Sequence, residues 1–415
     1  MLKEKILFYT DCSIFGGCER PFFNIIASEE FASKYEYRLI YRKTKIYTQS
    51  LFDLYPILSP RNITGVYFPD INTCKAYLET KISNKYLYWL AKLSASLIFR
   101  ILFLSIFVYE TIYLFFLFKK QKMRIIHINN GGYPGAVSCR PAVFSARLAG
   151  IHNIIMNVHT TTFKKNEFLD SIIDFFVRKC VTITITGSKA AGRALRDYQG
   201  FDESMIINIY HGIKPAFAAR IDRSCSGGLG KNYIVMVARF EERKGHKYVI
   251  RAMRHLISEH PEYKDIKLIL IGDGPLLDDV KTLVLQNTLK DNVFFFGHRT
   301  DYIDFIASSL FLLNPSLGSE DLPYVILEAM SLGIPIIGTD VCGIPEEIEN
   351  EISGIVIPPR DAAALARSMY DLLADKNKRM RLGIEAKKRF LSIFTIDKMI
   401  KDYVSLYDRM PKDNG

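Results

Sequence analysis

The sequence predicts an α/β chain folded as two parallel-sheet domains, and three observations carry that prediction. Short apolar runs alternate with amphipathic stretches along the whole chain. The runs are apolar on both faces, as parallel strands covered by helices on either side must be. At 415 residues the chain exceeds one ordinary core and fits two domains of about 200 residues each. Its 49% hydrophobic content is ample for burial.

In the first half, strands are read at K-I-L-F-Y-T (from Lys5), Y-R-L-I-Y-R (Tyr37), R-I-I-H-I-N-N (Arg124), I-I-M-N-V-H-T (Ile154), V-T-I-T-I-T-G-S (Val181) and I-I-N-I-Y-H-G (Ile206). In the second they are read at Y-I-V-M-V-A (Tyr233), K-L-I-L-I-G (Lys267), V-F-F-F-G (Val293), L-F-L-L-N-P (Leu310), P-I-I-G-T-D (Pro335) and G-I-V-I-P-P (Gly354). Helical patterns lie between them, as at Lys247 to Glu259 and Leu276 to Leu285. Ser224 to Asn232, S-C-S-G-G-L-G-K-N, is the Gly/Ser-rich linker. The expected organisation is a first domain over 1–223, the linker 224–232 and a second domain over 233–393. A C-terminal helix over 394–415 is expected to pack back on the first domain. Two such sheets facing across a cleft would present a ligand site at the carboxyl ends of their strands.

The net charge of +11 is uneven. Met1 to Pro215 carries 28 Lys+Arg against 16 Asp+Glu, and the remainder 27 against 28. A basic half implies an anionic partner, nucleic acid or an acidic membrane surface. No nucleic-acid motif accompanies it, and the aromatic residues cluster in an apolar segment instead of interleaving with Lys and Arg. The seven cysteines form no C-x-x-C pair, and Met1 to Thr10 runs straight into a strand pattern. Both features lead us to expect reduced thiols in a cytoplasmic protein, with no disulfide framework or zinc site. Asp278 and Asp279 fall on the exposed side of a helical stretch, and no His/Cys/carboxylate cluster at ligand spacing is found, so no required metal is expected.

One segment breaks the pattern. Leu87 to Phe118 has 32 residues and three charges, Lys92, Arg100 and Glu110, and its longest uncharged run is Ile101 to Tyr109. That run falls well short of the roughly 18 residues of a spanning helix. Lys92, Ser96, Arg100, Glu110 and Thr111 fall within about 100° of helical arc, and the rest of the circumference is apolar. With K-K-Q-K-M-R (Lys119 to Arg124) following, 87–124 reads as a helix or helical hairpin lying in the interface of an anionic membrane. A spanning helix and a buried pair of core helices are the alternatives.

The chemistry concentrates at strand exits. Ser319 to Gly333, S-E-D-L-P-Y-V-I-L-E-A-M-S-L-G, follows one strand pattern and precedes another. Pro323 suits the first helical turn and Gly333 the left-handed stop. The helix start at Pro323, Tyr324 and Val325 offers amides to phosphate oxygens, and Glu320 and Glu328 can accept from sugar hydroxyls. Arg239 and Lys244, in V-A-R-F-E-E-R-K-G, can meet a diphosphate from a loop and a helix start, whereas Arg243 reads as a solvated loop residue. Gly16 and Gly17 follow the first strand and open a helix, allowing close approach of backbone to phosphate or sugar. His159 ends a strand, and His211 reads as a loop residue beside the turn glycine Gly212. Gly272-Asp273-Gly274-Pro275 forms another strand-turn-helix start.

These motifs resemble those of the family 4 retaining glycosyltransferases, which use nucleotide-sugars and have the GT-B fold of two Rossmann-like domains facing across a cleft. The matching motifs are Glu-x7-Glu at Glu320 and Glu328, R-x4-K-G at Arg239 and Lys244, the G-G-A-E-R loop at Gly16 to Arg20, and G-x-G-P at Gly272 to Pro275. Asp321 and Leu322 stand where the family usually has Gly and Phe, and His211 where it has Asn. The resemblance implies transfer of a hexose from a UDP- or GDP-linked sugar, without a further cofactor. It places Glu320 and His159 on the transferred sugar, Glu328 on the ribose, and Gly272 and Gly274 at the base pocket. Together with the basic, membrane-seeking first half, it implies a lipid-linked saccharide acceptor and a peripheral position on the inner face of a membrane. The alternatives are a soluble acceptor, a nucleic-acid-binding protein or a catalytically silent binding module.

Overall fold

Parallel strands covered by helices on both faces read as mostly apolar runs, and among the described residues of the computed structural model thirteen segments form strands. The structure describes residues 3–12, 15–68, 85–133, 138–159, 168–215, 232–318 and 320–411, with backbone alone for 85–100 and 168–169. Most of the Ser224 to Asn232 stretch and Ser319 lie outside the described residues. Contacts divide the chain into two compact units. The first comprises Met1–Thr186, Ala194–Ile207 and Tyr403–Gly415, and the second Gly187–Arg193 and Asn208–Asp402.

The first unit holds a seven-stranded sheet in the order β3-β2-β1-β4-β5-β6-β7. Its strands are β1 (Glu4–Thr10), β2 (Tyr35–Arg42), β3 (Ile63–Val66), β4 (Ile125–Asn130), β5 (Asn153–Val158), β6 (Ile183–Thr186) and β7 (Ile206–Asn208). The pairs from β3 through β6 are all parallel. Helices α1 (Glu19–Ile26), α2 (Glu29–Lys34), α3 (Lys45–Leu54), α4 (Lys85–Gln121), α5 (Cys139–Leu148), α6 (Phe168–Cys180) and α7 (Lys189–Gln199) connect them. Strand β3 escaped the sequence reading, because I-T-G-V is short, carries a glycine and lies at the sheet edge.

Alternation of side chains sends Leu7 and Tyr9 to one face of this sheet and Phe8 to the other. Leu114 and Phe118 of α4, Val143 of α5 and Val177 of α6 cover the first face. An aromatic cluster covers the second, where Phe8 meets Phe22, Phe31, His127 and Tyr407. Tyr407 arrives on the last helix, and its hydroxyl lies 2.6 Å from Nδ1 of the buried His127. Burial pushes His127 down to about 4, so the ring is neutral at physiological pH.

Segment 87–118 forms part of one continuous helix of 37 residues, not a hairpin. The described part of its polar stripe faces inward: Glu110 is fully buried, and Thr111 accepts at its carbonyl from Ser145 Oγ at 2.8 Å. Leu114 and Phe118 join it in the core, and a second apolar row is exposed, with Val108, Tyr109, Ile112 and Phe116 each more than half accessible. The side chains of Lys92 and Arg100 lie outside the described residues. Arg124, expected to join the basic anchor, pairs instead with Glu4 and donates to the carbonyl of Met410 at 3.0 Å. Its guanidinium is committed to the start of β1 and to the segment after the last helix.

The second unit holds a six-stranded parallel sheet in the order β10-β9-β8-β11-β12-β13. Its strands are β8 (Tyr233–Val237), β9 (Lys267–Ile271), β10 (Val293–Phe295), β11 (Leu312–Asn314), β12 (Ile336–Thr339) and β13 (Ile355–Ile357). Ile234 and Met236 point to one core and Tyr233 and Val235 to the other. The helices are α8 (His246–Glu259), α9 (Leu277–Gln286), α10 (Tyr302–Ser308), α11 (Tyr324–Leu332), α12 (Ile344–Glu347), α13 (Ala362–Ala374) and α14 (Lys376–Ile393), and α15 (Ile396–Arg409) begins here and belongs to the first unit from Tyr403 onward. In both sheets the strand order reverses beside the first strand, at β1/β4 and β8/β11. Open α/β sheets bind ligands at such reversals.

Tyr407→Phe should leave the buried His127 Nδ1 without its partner and cost about 1–3 kcal/mol. Thermal denaturation should show a lower Tm, whereas replacing the exposed Arg409 with Lys should leave Tm unchanged.

Candidate active site

At the β8/β9 exits of the second unit, two loops lock together through backbone. Ala238 N donates to Ile271 O at 2.9 Å, Phe240 N to Asp273 O at 3.0 Å, and Leu276 N to Phe240 O at 3.0 Å. The approach is so close that a Cβ on Gly272 would lie 2.0 Å from Ala238 O, and one on Gly274 2.6 Å from Phe240 O. Both glycines also hold positive φ, at 143° and 157°. The Gly272 to Pro275 motif thus holds the Arg239 loop in place.

From that loop the chain makes a 3-10 turn over Glu242–Lys244 and stops it with Gly245 at φ 75°. The turn delivers two cations to one carboxylate. Lys244 Nζ pairs with Glu320 Oε1, and Arg243 Nη1 reaches the same oxygen at 2.5 Å. The Glu320 side chain is 9% exposed and that of Lys244 14%, so the contact is shielded from bulk water. Arg243 also donates from Nε to Glu241 Oε2 at 2.9 Å. Its sequence-based assignment as a solvated residue is therefore corrected: the 3-10 turn brings it to Glu320 beside Lys244. Arg239 is the outermost cation, 67% exposed, and pairs with Glu241 Oε1 at 2.8 Å.

Glu320 stands four residues ahead of α11. Pro323 is the N-cap of that helix, with Tyr324 and Val325 in its first turn and Gly333 closing it at φ 76°. The amides of a first turn have no acceptor within their own helix. Glu328, one turn further, is buried and accepts from Tyr302 OH at 2.7 Å. Asp278 and Asp279 lie in the first turn of α9, where Asp278 pairs with Lys281.

In the first unit, His159 directly follows β5 and is buried. Its Nε2 lies 2.7 Å from Asn129 Oδ1 on β4, which fixes the ring at the carboxyl ends of two adjacent strands. Gly16 and Gly17 lie between β1 and α1, and a Cβ on Gly16 would meet nothing within 4 Å. Below them Glu19 is fully buried and accepts from Thr10 Oγ1 at 2.8 Å and Tyr47 OH at 2.9 Å. The ligand atoms of Cys12, Cys18 and Glu19 lie within 4.8 Å of one another. The search for ligand spacing missed this group, because the loop between β1 and α1, not a C-x-x-C turn, brings the two thiols together.

A family model described as glycosyl transferases group 1 matches residues 223–389. Spore coat protein SA of Bacillus subtilis (strain 168) is 30% identical over 312 residues, 70% of this chain and 80% of that protein. The chain belongs to the group 1 glycosyl transferase family. It is also 26% identical to the UDP-Gal:alpha-D-GlcNAc-diphosphoundecaprenol alpha-1,3-galactosyltransferase of Escherichia coli, over 71% of this chain and 77% of that one. Two further curated relatives are matched over less than half of their own length, 46% and 47%. The crystal structure of Anabaena Alr3699/HepE in complex with UDP superposes with a TM-score of 0.74 at 16% identity, covering 98% of this chain and all of that one. That likeness establishes two Rossmann-like domains of the GT-B type.

Within this family member, a buried acidic cluster beneath Glu320 escaped the sequence reading. Both carboxylate oxygens of Asp321 are enclosed, close to Gly187 and to the His211 ring. His211 is itself buried and stacks on Tyr324 at 5.7 Å, so it supports the start of α11 from below. Glu347 is fully buried, and burial raises it well above the ordinary carboxylate range, with Asp321 adding to the effect. Glu346 is satisfied, accepting from Lys189 N at 2.8 Å, Ala190 N at 2.7 Å and Tyr210 OH at 3.1 Å. The signal available in the sequence was the acid at 321, where the family usually has glycine.

Burial pushes Asp321 up from its ordinary 3.8 to about 7. The folded protein therefore keeps a proton that the unfolded chain releases between about pH 4 and 7. This contribution to stability is full below pH 4 and lost as pH rises to 7. Asp321→Asn should raise Tm relative to wild type at pH 8, and the difference should shrink towards pH 4 in a denaturation series. A difference independent of pH would contradict the assignment.

Proposed function

We propose that the protein is a retaining glycosyltransferase that moves a hexose from a nucleoside-diphosphate sugar to a hydroxyl of a lipid-linked saccharide. The observation that carries this reading is the convergence of Arg243 and Lys244 on Glu320, ahead of the helix start at Pro323 and Tyr324. As the glycosidic bond breaks, negative charge grows on the departing diphosphate, and cations fixed in advance stabilise it at little reorganisation cost. Glu241 and Glu320 hold those cations in the structure. A diphosphate presents the same oxygen acceptors with more charge, so it can take over Arg243 and Lys244 without rebuilding the loop. Glu320 is thereby released to accept from a hydroxyl of the transferred sugar. Occupation by the donor and presentation of Glu320 are thus one event.

Retention follows in this reading from a same-face displacement. The bond from the anomeric carbon to the diphosphate oxygen breaks, the acceptor oxygen bonds to the same face, and its proton passes to the departing phosphate. The basic residues and the first-turn amides of α11 take the part that a divalent cation plays elsewhere, so the reaction needs no metal. Glu328, buried and oriented by Tyr302, suits the two hydroxyls of a ribose. The UDP of the Anabaena complex supports a UDP-linked donor, with GDP as the alternative base. A diphosphoundecaprenol acceptor in the name of one relative supports a polyprenyl diphosphate carrier and a cytoplasmic, membrane-peripheral position.

The test is a panel of UDP- and GDP-hexoses assayed for slow donor hydrolysis and then for transfer to membrane lipid extract, with the product anomer read by NMR. Transfer with an inverted anomer would overturn the mechanism, and no turnover of any donor would overturn the activity. Ala in place of Arg239, Arg243 or Lys244 should each lower kcat by roughly 10²-fold or more, the order found when one transition-state donor is lost. Near-normal turnover in an Arg243→Ala/Lys244→Ala protein would exclude these side chains from the chemistry.

A further inference from the structure

Three neighbouring helices of the first unit carry the inference: α4, α5 and α6 cover the same face of the seven-stranded sheet. Their outer surfaces run against the usual pattern of a soluble protein. On α4 the outward row is Val108, Tyr109, Ile112 and Phe116, between 51% and 67% exposed. On α6 the outward row includes Phe175 and Phe176, 48% and 52% exposed. On α4 these positions follow at three- and four-residue spacing, and on α6 Ile172, 42% exposed, stands three and four residues ahead of Phe175 and Phe176, so each row runs along its helix. Contiguous apolar surface on this scale marks a contact.

The charge around this face identifies what makes the contact. Each helix leads into a strand of the parallel sheet: α4 into β4, α5 into β5 and α6 into β6. Because those strands are parallel and in register, the last turns of the three helices share one rim. That rim carries Lys119, Lys120 and Lys122 after α4, Arg147 on α5 and Lys179 on α6, all exposed. Lys119 and Lys179 also lie over the rings of Phe115 and Phe175. An apolar face bordered by a cationic rim matches the interface of an anionic bilayer, acyl chains against the face and headgroup phosphates against the lysines.

We propose that the outer faces of α4 and α6 together dock the protein on an anionic phospholipid surface, with Lys119, Lys120, Lys122 and Lys179 at headgroup level. The contact is wider than one amphipathic helix, because α6, 50 residues or more along the chain from the exposed row of α4, supplies a second stripe. It is also peripheral. Leu114 and Phe118 are fully buried in the sheet's core, and Glu110 is buried beside them. A spanning α4 would have to leave that core. Tyr109 and Tyr113, stacked with centroids 6.1 Å apart, present rings suited to the interfacial layer.

The experiment is vesicle flotation of the full chain with phosphatidylglycerol/phosphatidylcholine vesicles and with phosphatidylcholine alone. Wild type should float with the anionic vesicles and bind the neutral ones at least tenfold more weakly, and high salt should weaken the anionic binding. Three variants should each reduce anionic binding at least tenfold: Ile112→Ser/Phe116→Ser, Phe175→Ser/Phe176→Ser, and Lys119→Gln/Lys120→Gln/Lys122→Gln. All these side chains are exposed, so circular dichroism and Tm should stay at wild-type values. Docking is read without turnover, so its failure is separate from failure of the proposed transfer reaction. Equal binding to neutral vesicles, or full binding by the α6 variant, would overturn the two-helix surface. So would membranes that retain the protein through carbonate extraction, which indicates a spanning helix. A dimer in solution that the apolar substitutions dissolve, with no vesicle binding, would assign the face to a second copy of the chain.

Discussion

The backbone contact between the exits of β8 and β9 is the constraint on which the second unit's chemistry depends. With Gly272 pressed against Ala238 O and Gly274 against Phe240, the loop carrying Arg239, Arg243 and Lys244 has little room to shift. Long cationic side chains lose considerable rotamer freedom when they are fixed. A rigid loop origin reduces what remains to be ordered when an anion arrives. Gly245, whose Cβ would lie 2.1 Å from Pro315 O, ties the other end of the loop to the segment after β11. Three strand exits are thus joined through main chain, and the polar side chains they carry inherit one frame.

On that frame the charges are arranged as a poised exchange. Three cations, Arg239, Arg243 and Lys244, share two carboxylates, Glu241 and Glu320. One positive charge is left over near a helix start, which favours anions in its own right. The acids beneath are kept from opposing it. Burial raises Asp321 to about 7, so it does not bear a full negative charge near neutral pH, and burial raises Glu347 well above the ordinary carboxylate range. Had both remained ionised, the cations held by Glu320 would have two further negative charges close by.

Much of this was legible in the sequence, and the parts that were not have identifiable causes. All six strands of the second sheet could be read because strands covered on both faces present near-continuous apolar runs, as in L-I-L-I after Lys267. Gly333 could be read because a left-handed stop has few alternatives. The role of Arg243 could not: adjacent basic residues look alike in a string, and their partner depends on a 3-10 turn that no periodicity announces. The acidic cluster was hidden for a related reason. Acids such as Asp321 and Glu347 are expected at the surface, yet tertiary contact encloses their carboxylates, and the segment beginning at Gly187 that encloses Asp321 is more than 130 residues away in the chain.

The orientation of α4 shows the same limit with the opposite sign. Its polar residues do align along one stripe, as 3.6-residue periodicity requires. Periodicity states which residues share a side and not which side meets the protein. The usual assumption sends charge outward, yet Glu110 is buried and the row with Val108, Ile112 and Phe116 is exposed. This inversion is sustainable because burial, with Asp11 nearby, pushes Glu110 up to about 8, so it sits in the core as a neutral acid instead of a bare carboxylate. The energetic burden then falls on the outer face. Water gains nothing from Ile112 or Phe116, whereas an acyl layer does, so an inside-out helix of this kind is economical where the outer solvent is lipid.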